Sequence, residues 1–342
     1  MRLGKGTFSK FVVLSLVACG VWLSAPKVFA SSITGVVYDN RNNALPDVDL
    51  ELTDEQYSTG TRRARTDGSG RYTFDGLRDS RYSIRVMPFR YDFIEQIQTV
   101  EIGTLTSRGV GGGTAFEIRD FYLQPRKGSL EEAEASVLFA QEIPKDARKA
   151  YEKALNDFSK KRKDEGLVSL NEAVKLFPNY FAALMLLGRQ YIEKGMFSEA
   201  YPLLIKAVDV NPKSPTALYF LGYTLHKLNY NKAALVALTQ AHNSSPASVM
   251  VLTRLGIVEK MEGKYVEAEK HLTQAKKLTK GANADLHWEL AQLYGENLKK
   301  YDLAADELEE FLKAKPDAQD SVKIKEMIKK LREKAKAQAS SN

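Results

Sequence analysis

The side chains that most often carry out chemistry are sparse in this sequence. The four histidines, His226, His242, His271 and His287, never fall one helical turn apart, the spacing by which a helix offers zinc two imidazoles. Cys19 is the single cysteine, so one chain forms no disulfide and no thiolate pair for a metal. Asp67-Gly68-Ser69-Gly70 begins like a calcium loop but lacks the further alternating carboxylates and the distal glutamate, and reads as a hairpin turn. Ser107 to Thr114 is glycine-rich without the lysine, the Ser/Thr and the helix that a phosphate cradle needs; it reads as a connection between strands. Neither a serine elbow nor a Walker stretch occurs. Glu309-Glu310 sits among other charges as a solvated helix face. The expectation is a non-enzyme with no catalytic residue, metal or cofactor, and function is sought in binding.

Composition agrees with a folded chain of more than one domain: 342 residues, 44% hydrophobic and 27% charged. The net charge of +7 owes four units to Arg2, Lys5, Lys10 and Lys27, which leaves +3 beyond Ala30 and no clustered basic face for nucleic acid. Those four cations frame an apolar run from Phe11 to Ala25, closed by Pro26 and by the small residues at Val28-Phe29-Ala30. The run is shorter than the ~20 residues of a spanning helix. Residues 1–30 therefore read as a signal peptide cleaved after Ala30, placing the protein in the periplasm or envelope of a bacterium, with no transmembrane span after processing. Leu16 to Cys19 resembles a bacterial lipobox, so a lipoprotein anchored at Cys19 is the alternative.

From residue 31 to 125 the apolar period is two. Val48, Leu50 and Leu52 alternate with Asp49, Glu51 and Thr53, and Tyr82, Ile84 and Val86 alternate with charged or hydroxyl residues. Turn residues punctuate the runs at 39–43, 67–70 and 75–76. Phe116 and Ile118 share a face while Phe121 and Leu123 follow at an odd offset, which predicts a bulge near Asp120. A seven-stranded β-sandwich fits. Ile33-Thr34-Gly35-Val36-Val37, Ala44-Leu45-Pro46-Asp47-Val48, Thr66 to Phe74, Gly76-Leu77 and Tyr82 follow one another in an order that resembles the carboxypeptidase-regulatory-like domain. That resemblance implies a transthyretin-like sandwich without catalysis, and in outline it is similar to carbohydrate-binding sandwiches.

After a linker helix at 126–146, opened by the capping box Ser129-Leu130-Glu131-Glu132, the period becomes helical. Pro178, Pro212 and Pro246 follow at steps of 34, as do Gly188, Gly222 and Gly256, and Ala200, Ala234 and Ala268. This resembles the tetratricopeptide (TPR) repeat, with five helix–turn–helix units over residues 147–316 and a capping helix and tail at 317–342. The fifth unit carries an extra residue in its inner turn. Small residues recurring at one slot let two helix backbones approach, so these glycines are architecture.

The resemblance implies a solenoid whose first helices line an inner, concave face. On it would lie Arg189, Ile192 and Glu193; Tyr219, Tyr223, His226 and Lys227; and Thr253, Ile257 and Lys260. Aromatics interleaved with cations suit a peptide carrying acidic groups. The expected function is a non-enzymatic adaptor that holds partner proteins in that groove. The alternative is a carbohydrate-binding or adhesion protein whose sandwich touches a glycan while the repeats act as a spacer.

Overall fold

The computed structural model describes residues 31–57, 60–103, 116–316 and 318–340. Residues 1–30, the expected signal peptide with Cys19, and the glycine-rich stretch 107–114 lie outside them. Among the described residues eight strands form two four-stranded sheets: β1 (Ser31–Tyr38), β2 (Asp49–Asp54), β3 (Thr61–Arg65), β4 (Arg71–Leu77), β5 (Ser80–Met87), β6 (Gln96–Ile102), β7 (Phe116–Ile118) and β8 (Phe121–Tyr122). The first sheet runs β4-β1-β7 with β8 also on β1; the second runs β3-β2-β5-β6. Between them Val48, Leu50, Leu52, Tyr82, Ile84 and Val86 are buried with Phe74 and Phe121, as the two-residue period requires.

The last expected strand is two pieces, which raises the count from seven to eight. The bulge predicted near Asp120 is not formed. Thr34 pairs with Ile118 and Val37 with Phe121, so β1 meets both pieces in one register and no residue is inserted. A side chain interrupts the ladder instead: the Asp120 carboxylate accepts from the Val36 N–H at 2.8 Å. The odd offset in the sequence has a simpler cause, since Phe116 and Ile118 face outward and Phe121 and Leu123 face the core. Gly35 lies at this break. The Arg119 carbonyl packs against its Cα and also accepts the Tyr72 hydroxyl at 2.6 Å.

Between the domains only α1 (Leu130–Ala135) is helical, and the chain from 137 to 144 has no regular secondary structure. Ser129 caps α1 by accepting from the Glu132 N–H at 3.1 Å, and the Glu132 carboxylate reaches back to the Gly128 N–H. Five helix pairs follow: α2 (Lys145–Ser159) with α3 (Lys163–Leu176), α4 (Phe181–Glu193) with α5 (Phe197–Val210), α6 (Pro215–Lys227) with α7 (Asn231–Ser244), α8 (Val249–Met261) with α9 (Tyr265–Leu278), and α10 (Ala284–Gln292) with α11 (Tyr301–Ala314). The small-residue slots do what the period implies. A Cβ at Gly188, Gly222 or Gly256 would stand 3.0, 2.7 or 2.7 Å from Leu204, Leu238 or Leu272 of the paired helix. The second, third and fourth units thus each close on their own glycine and leucine.

The extra residue of the fifth unit becomes a π-helical turn, Leu293–Asn297, where the Leu298 N–H reaches the Leu293 carbonyl at 3.0 Å. Widening one turn absorbs the residue without shifting the faces on either side. Helix α12 (Ser321–Ser340) then lays Ile324, Ile328 and Leu331 beside Leu308 and Phe311 of α11, while Met327 of the same stripe stays exposed. Arg332 locks the cap by pairing with Asp302, Asp306 and Glu309.

Candidate binding face and the domain junction

Contacts between successive first helices join the predicted residues into a ladder. The Arg189 guanidinium of α4 lies 5.3 Å from the Phe220 ring of α6. Tyr223 of α6 receives Arg254 of α8 at 4.4 Å and Lys227 of its own helix at 5.7 Å. From α8, Lys260 donates to Glu289 at 2.7 Å and Gln292 at 2.9 Å on α10. Sequence reasoning passed over Phe220, Arg254, Glu289 and Gln292. Phe220 and Arg254 occupy equivalent places 34 residues apart, so the period held a signal for them.

The remaining predicted residues divide by environment. Glu193 is exposed and accepts from Gln190 at 3.1 Å, whereas Ile192 packs with the apolar seam of Leu184 and Leu204. His226 Nδ1 lies 3.1 Å from Asn231 Oδ1, and burial holds its pKa below the ordinary histidine value. Thr253 returns its hydroxyl to the Val249 carbonyl at 2.6 Å, and Ile257 is half-buried. Tyr219 is nearly closed off, at 7% exposure, and burial pushes its hydroxyl up to about 12. Tyr219 is therefore part of the packed interior of the face rather than its open surface.

The linker packs into the same interior as Tyr219. Leu130 of α1 enters the same apolar cluster as Leu218 and Tyr219. Along the N-terminal ends of the first helices, the linker and the sandwich supply acceptors for backbone N–H groups that a helix leaves unpaired. Gln141 Oε1 takes the Phe181 N–H of α4 at 2.9 Å. Glu134 takes the Ser214 hydroxyl at 2.7 Å and the Thr216 N–H of α6 at 3.1 Å. Asp92, which has no solvent exposure, takes the Val249 N–H of α8 at 2.7 Å and the Ser248 hydroxyl. At α10, Asn283 donates to the Phe89 carbonyl at 3.3 Å, and Lys280 pairs with Glu95 at 3.1 Å. Two of these caps are carboxylates at the positive end of a helix dipole, the favourable placement. The accessible part of the face is thus its C-terminal half, around Tyr223, His226, Lys227, Arg254, Ile257 and Lys260.

The junction also buries an unsatisfied acid. Glu131 Oε2 is buried without a hydrogen bond among the described residues. Burial, with the Asp92 charge beside it, raises this carboxyl from 4.5 to about 7, against the weaker pull of Arg41 and Arg189. Because the folded value lies above the unfolded one, the proton is held more tightly in the folded state. The contribution to stability is fullest below 4.5 and is lost as pH rises through 7. Lowering the pH from 8 to 5.5 is expected to stabilise the fold by about 1 kcal/mol through this group, once the full shift is discounted for its partial exposure. His226 and His242, whose values burial lowers, work in the opposite sense below pH 6.5. The measurement is therefore the difference between wild type and Glu131→Gln in melting temperature against pH. Parallel curves would show that Glu131 does not titrate in this range.

Comparison with known proteins follows the two-part architecture. Residues 32–107 match the carboxypeptidase regulatory-like domain, and residues 284–318 match the tetratricopeptide repeat. A TPR repeat-containing protein of Methanocaldococcus jannaschii is 25% identical over 124 residues, which is 36% of this chain and 21% of that protein. The chain thus spans about a fifth of the length of that relative. Among solved structures, YrrB, described as a TPR protein with an unusual peptide-binding site, is 23% identical, with a TM-score of 0.47 over 53% of this chain and 92% of its own. A tetratricopeptide repeat protein of Parabacteroides merdae is 18% identical, with a TM-score of 0.48 over 57% of this chain and 77% of its own. MamA of Desulfovibrio magneticus is 18% identical, with a TM-score of 0.46 over 52% and 99%. The chain joins an N-terminal carboxypeptidase regulatory-like domain to a helical array that carries a tetratricopeptide repeat.

Proposed function

We propose that this protein is a non-enzymatic scaffold that holds partner proteins on the first-helix face, and that it acts after export, in the periplasm or envelope of a bacterium. The observation that carries the reading is the ladder itself. Aromatic and cationic groups from α4, α6 and α8, with Glu289 and Gln292 of α10, line one face and touch across helices. A face braced in this way is pre-organised, so a bound segment loses less free energy to ordering the protein. Tyrosine and arginine are the side chains that most often concentrate binding energy at such surfaces. The leader at residues 1–30 supports export.

Crosslinking in cells tests the scaffold reading. Tyr223→Ala combined with Lys260→Glu is expected to lose the crosslinked partners of the wild type, with a retained cooperative melting transition as the control for folding. Partners retained at wild-type yield would remove the face from consideration. Cell fractionation reads the location separately, since a protein found only in the cytoplasm would refute export without touching the face.

A further inference from the structure

A cleft of about 700 Å³ lies between the outer face of the second sheet and the C-terminal end of α11, well within the size of ligand sites. Five cations line it: Arg63, Arg65, Arg85, Lys280 and Lys313. Each has a carboxylate neighbour. Arg63 pairs with Glu51 at 2.9 Å, Arg65 with Asp49 at 2.7 Å, Arg85 and Lys280 with Glu95 at 2.9 and 3.1 Å, and Lys313 with Glu310 at 2.6 Å. In every pair the cation is the more exposed member, 60% against 19% for Arg63 and Glu51, and 69% against 21% for Lys280 and Glu95. An arriving ligand meets guanidinium and ammonium groups first, with the acids tucked beneath. Exposed pairs of this kind are worth little by themselves, so their cations are readily shared with a second anion. Arg85 further keeps a buried Nε–H with no acceptor among the described residues.

Met87, Phe89, Ala314 and Pro316 add an apolar portion to the same cleft. We propose that this cleft between the domains binds an acidic peptide segment of another protein, with an apolar side chain seated at Met87 and Phe89 and flanking carboxylates on the Arg63 and Lys313 walls. Charge decides against the protein's own undescribed segments, because residues 1–30 and 104–115 contain no Asp or Glu. Phe89 is the one aromatic ring of the lining, so the stacking platform that would favour a saccharide is small. The site is separate from the first-helix face and stands or falls independently of it.

The test uses the full chain and a fluorescein-labelled peptide of repeating Glu-Leu-Glu, with binding read by anisotropy. The double substitution Arg63→Gln and Lys313→Gln is expected to weaken binding roughly tenfold, since two rim charges each contribute under about 1 kcal/mol. Glu310→Gln frees Lys313 and is expected to tighten binding, a gain that a misfolded variant would not produce. Lys175→Gln, an exposed cation of α3 outside both surfaces, should leave the affinity unchanged. The proposal is overturned if the double variant binds as wild type does, or if Tyr223→Ala alone abolishes binding, which would assign the peptide to the first-helix face. It is equally overturned if a galacturonate trisaccharide binds while the peptide does not, which would make the occupant a glycan.

Discussion

Asp92→Ala is expected to release the sandwich from the repeats. The carboxylate sits fully buried between the two domains and accepts from the Ser248 hydroxyl and the Val249 N–H at the start of α8. Burial pushes its pKa up against the pull of those donors and of Arg126, so the donors must stay in place for the group to be tolerated there. Alanine would leave both donors buried without acceptors and remove the contact that ties positions 156 residues apart. The expected cost is about 3 kcal/mol, from two hydrogen bonds to a charged group and the desolvation of their stranded donors. Two measurements read it: a lower melting temperature, and new protease cuts in the irregular chain at 137–144. Asp92→Asn keeps one acceptor oxygen and should fall between. A melting curve and cleavage pattern matching wild type would mean that the remaining caps, Glu134 and Gln141 among them, hold the junction unaided.

Gly35→Ala carries the largest cost expected in the sandwich. An added Cβ would lie 1.8 Å from the Arg119 carbonyl oxygen, and backbone cannot swing aside as the end of a side chain can. Arg119 would have to move, taking with it the Tyr72 hydroxyl bond and the paired pieces β7 and β8. About 3 kcal/mol or more of destabilisation follows, at or beyond the upper end of ordinary overpacking. Gly68 serves as the internal control. A Cβ added there would meet no atom within 4 Å, and its backbone is not left-handed, so Gly68→Ala should change stability by less than about 0.5 kcal/mol. Equal unfolding midpoints for the two alanine variants would show that the Gly35 contact relaxes at little cost.

Much of the architecture was legible because local burial writes a period into the chain. A buried sheet face needs an apolar residue at every second position, which placed Val48, Leu50 and Leu52 in the core. Close helix pairs need a small residue at a fixed slot, which placed Gly188, Gly222 and Gly256 against their leucines. Even the extra residue of the fifth unit was visible, although not the π turn that absorbs it. The run around Asp120 shows the limit of pattern reading: an odd offset looked like an inserted residue, but it marks a change from outward-facing to core-facing side chains in one register.

By itself the sequence determined that a two-period segment precedes a 34-residue helical repeat, and which small residues each repeat sets between its paired helices. Only the tertiary structure decided what the first helices meet. It drew Tyr219 into one apolar cluster with Leu130 of α1, paired Lys260 with Glu289, and brought Asp92 to the start of α8. The physical reason is that a period records how often a face is buried, whereas a cap or a domain contact is made once, between residues whose separation along the chain repeats nowhere else.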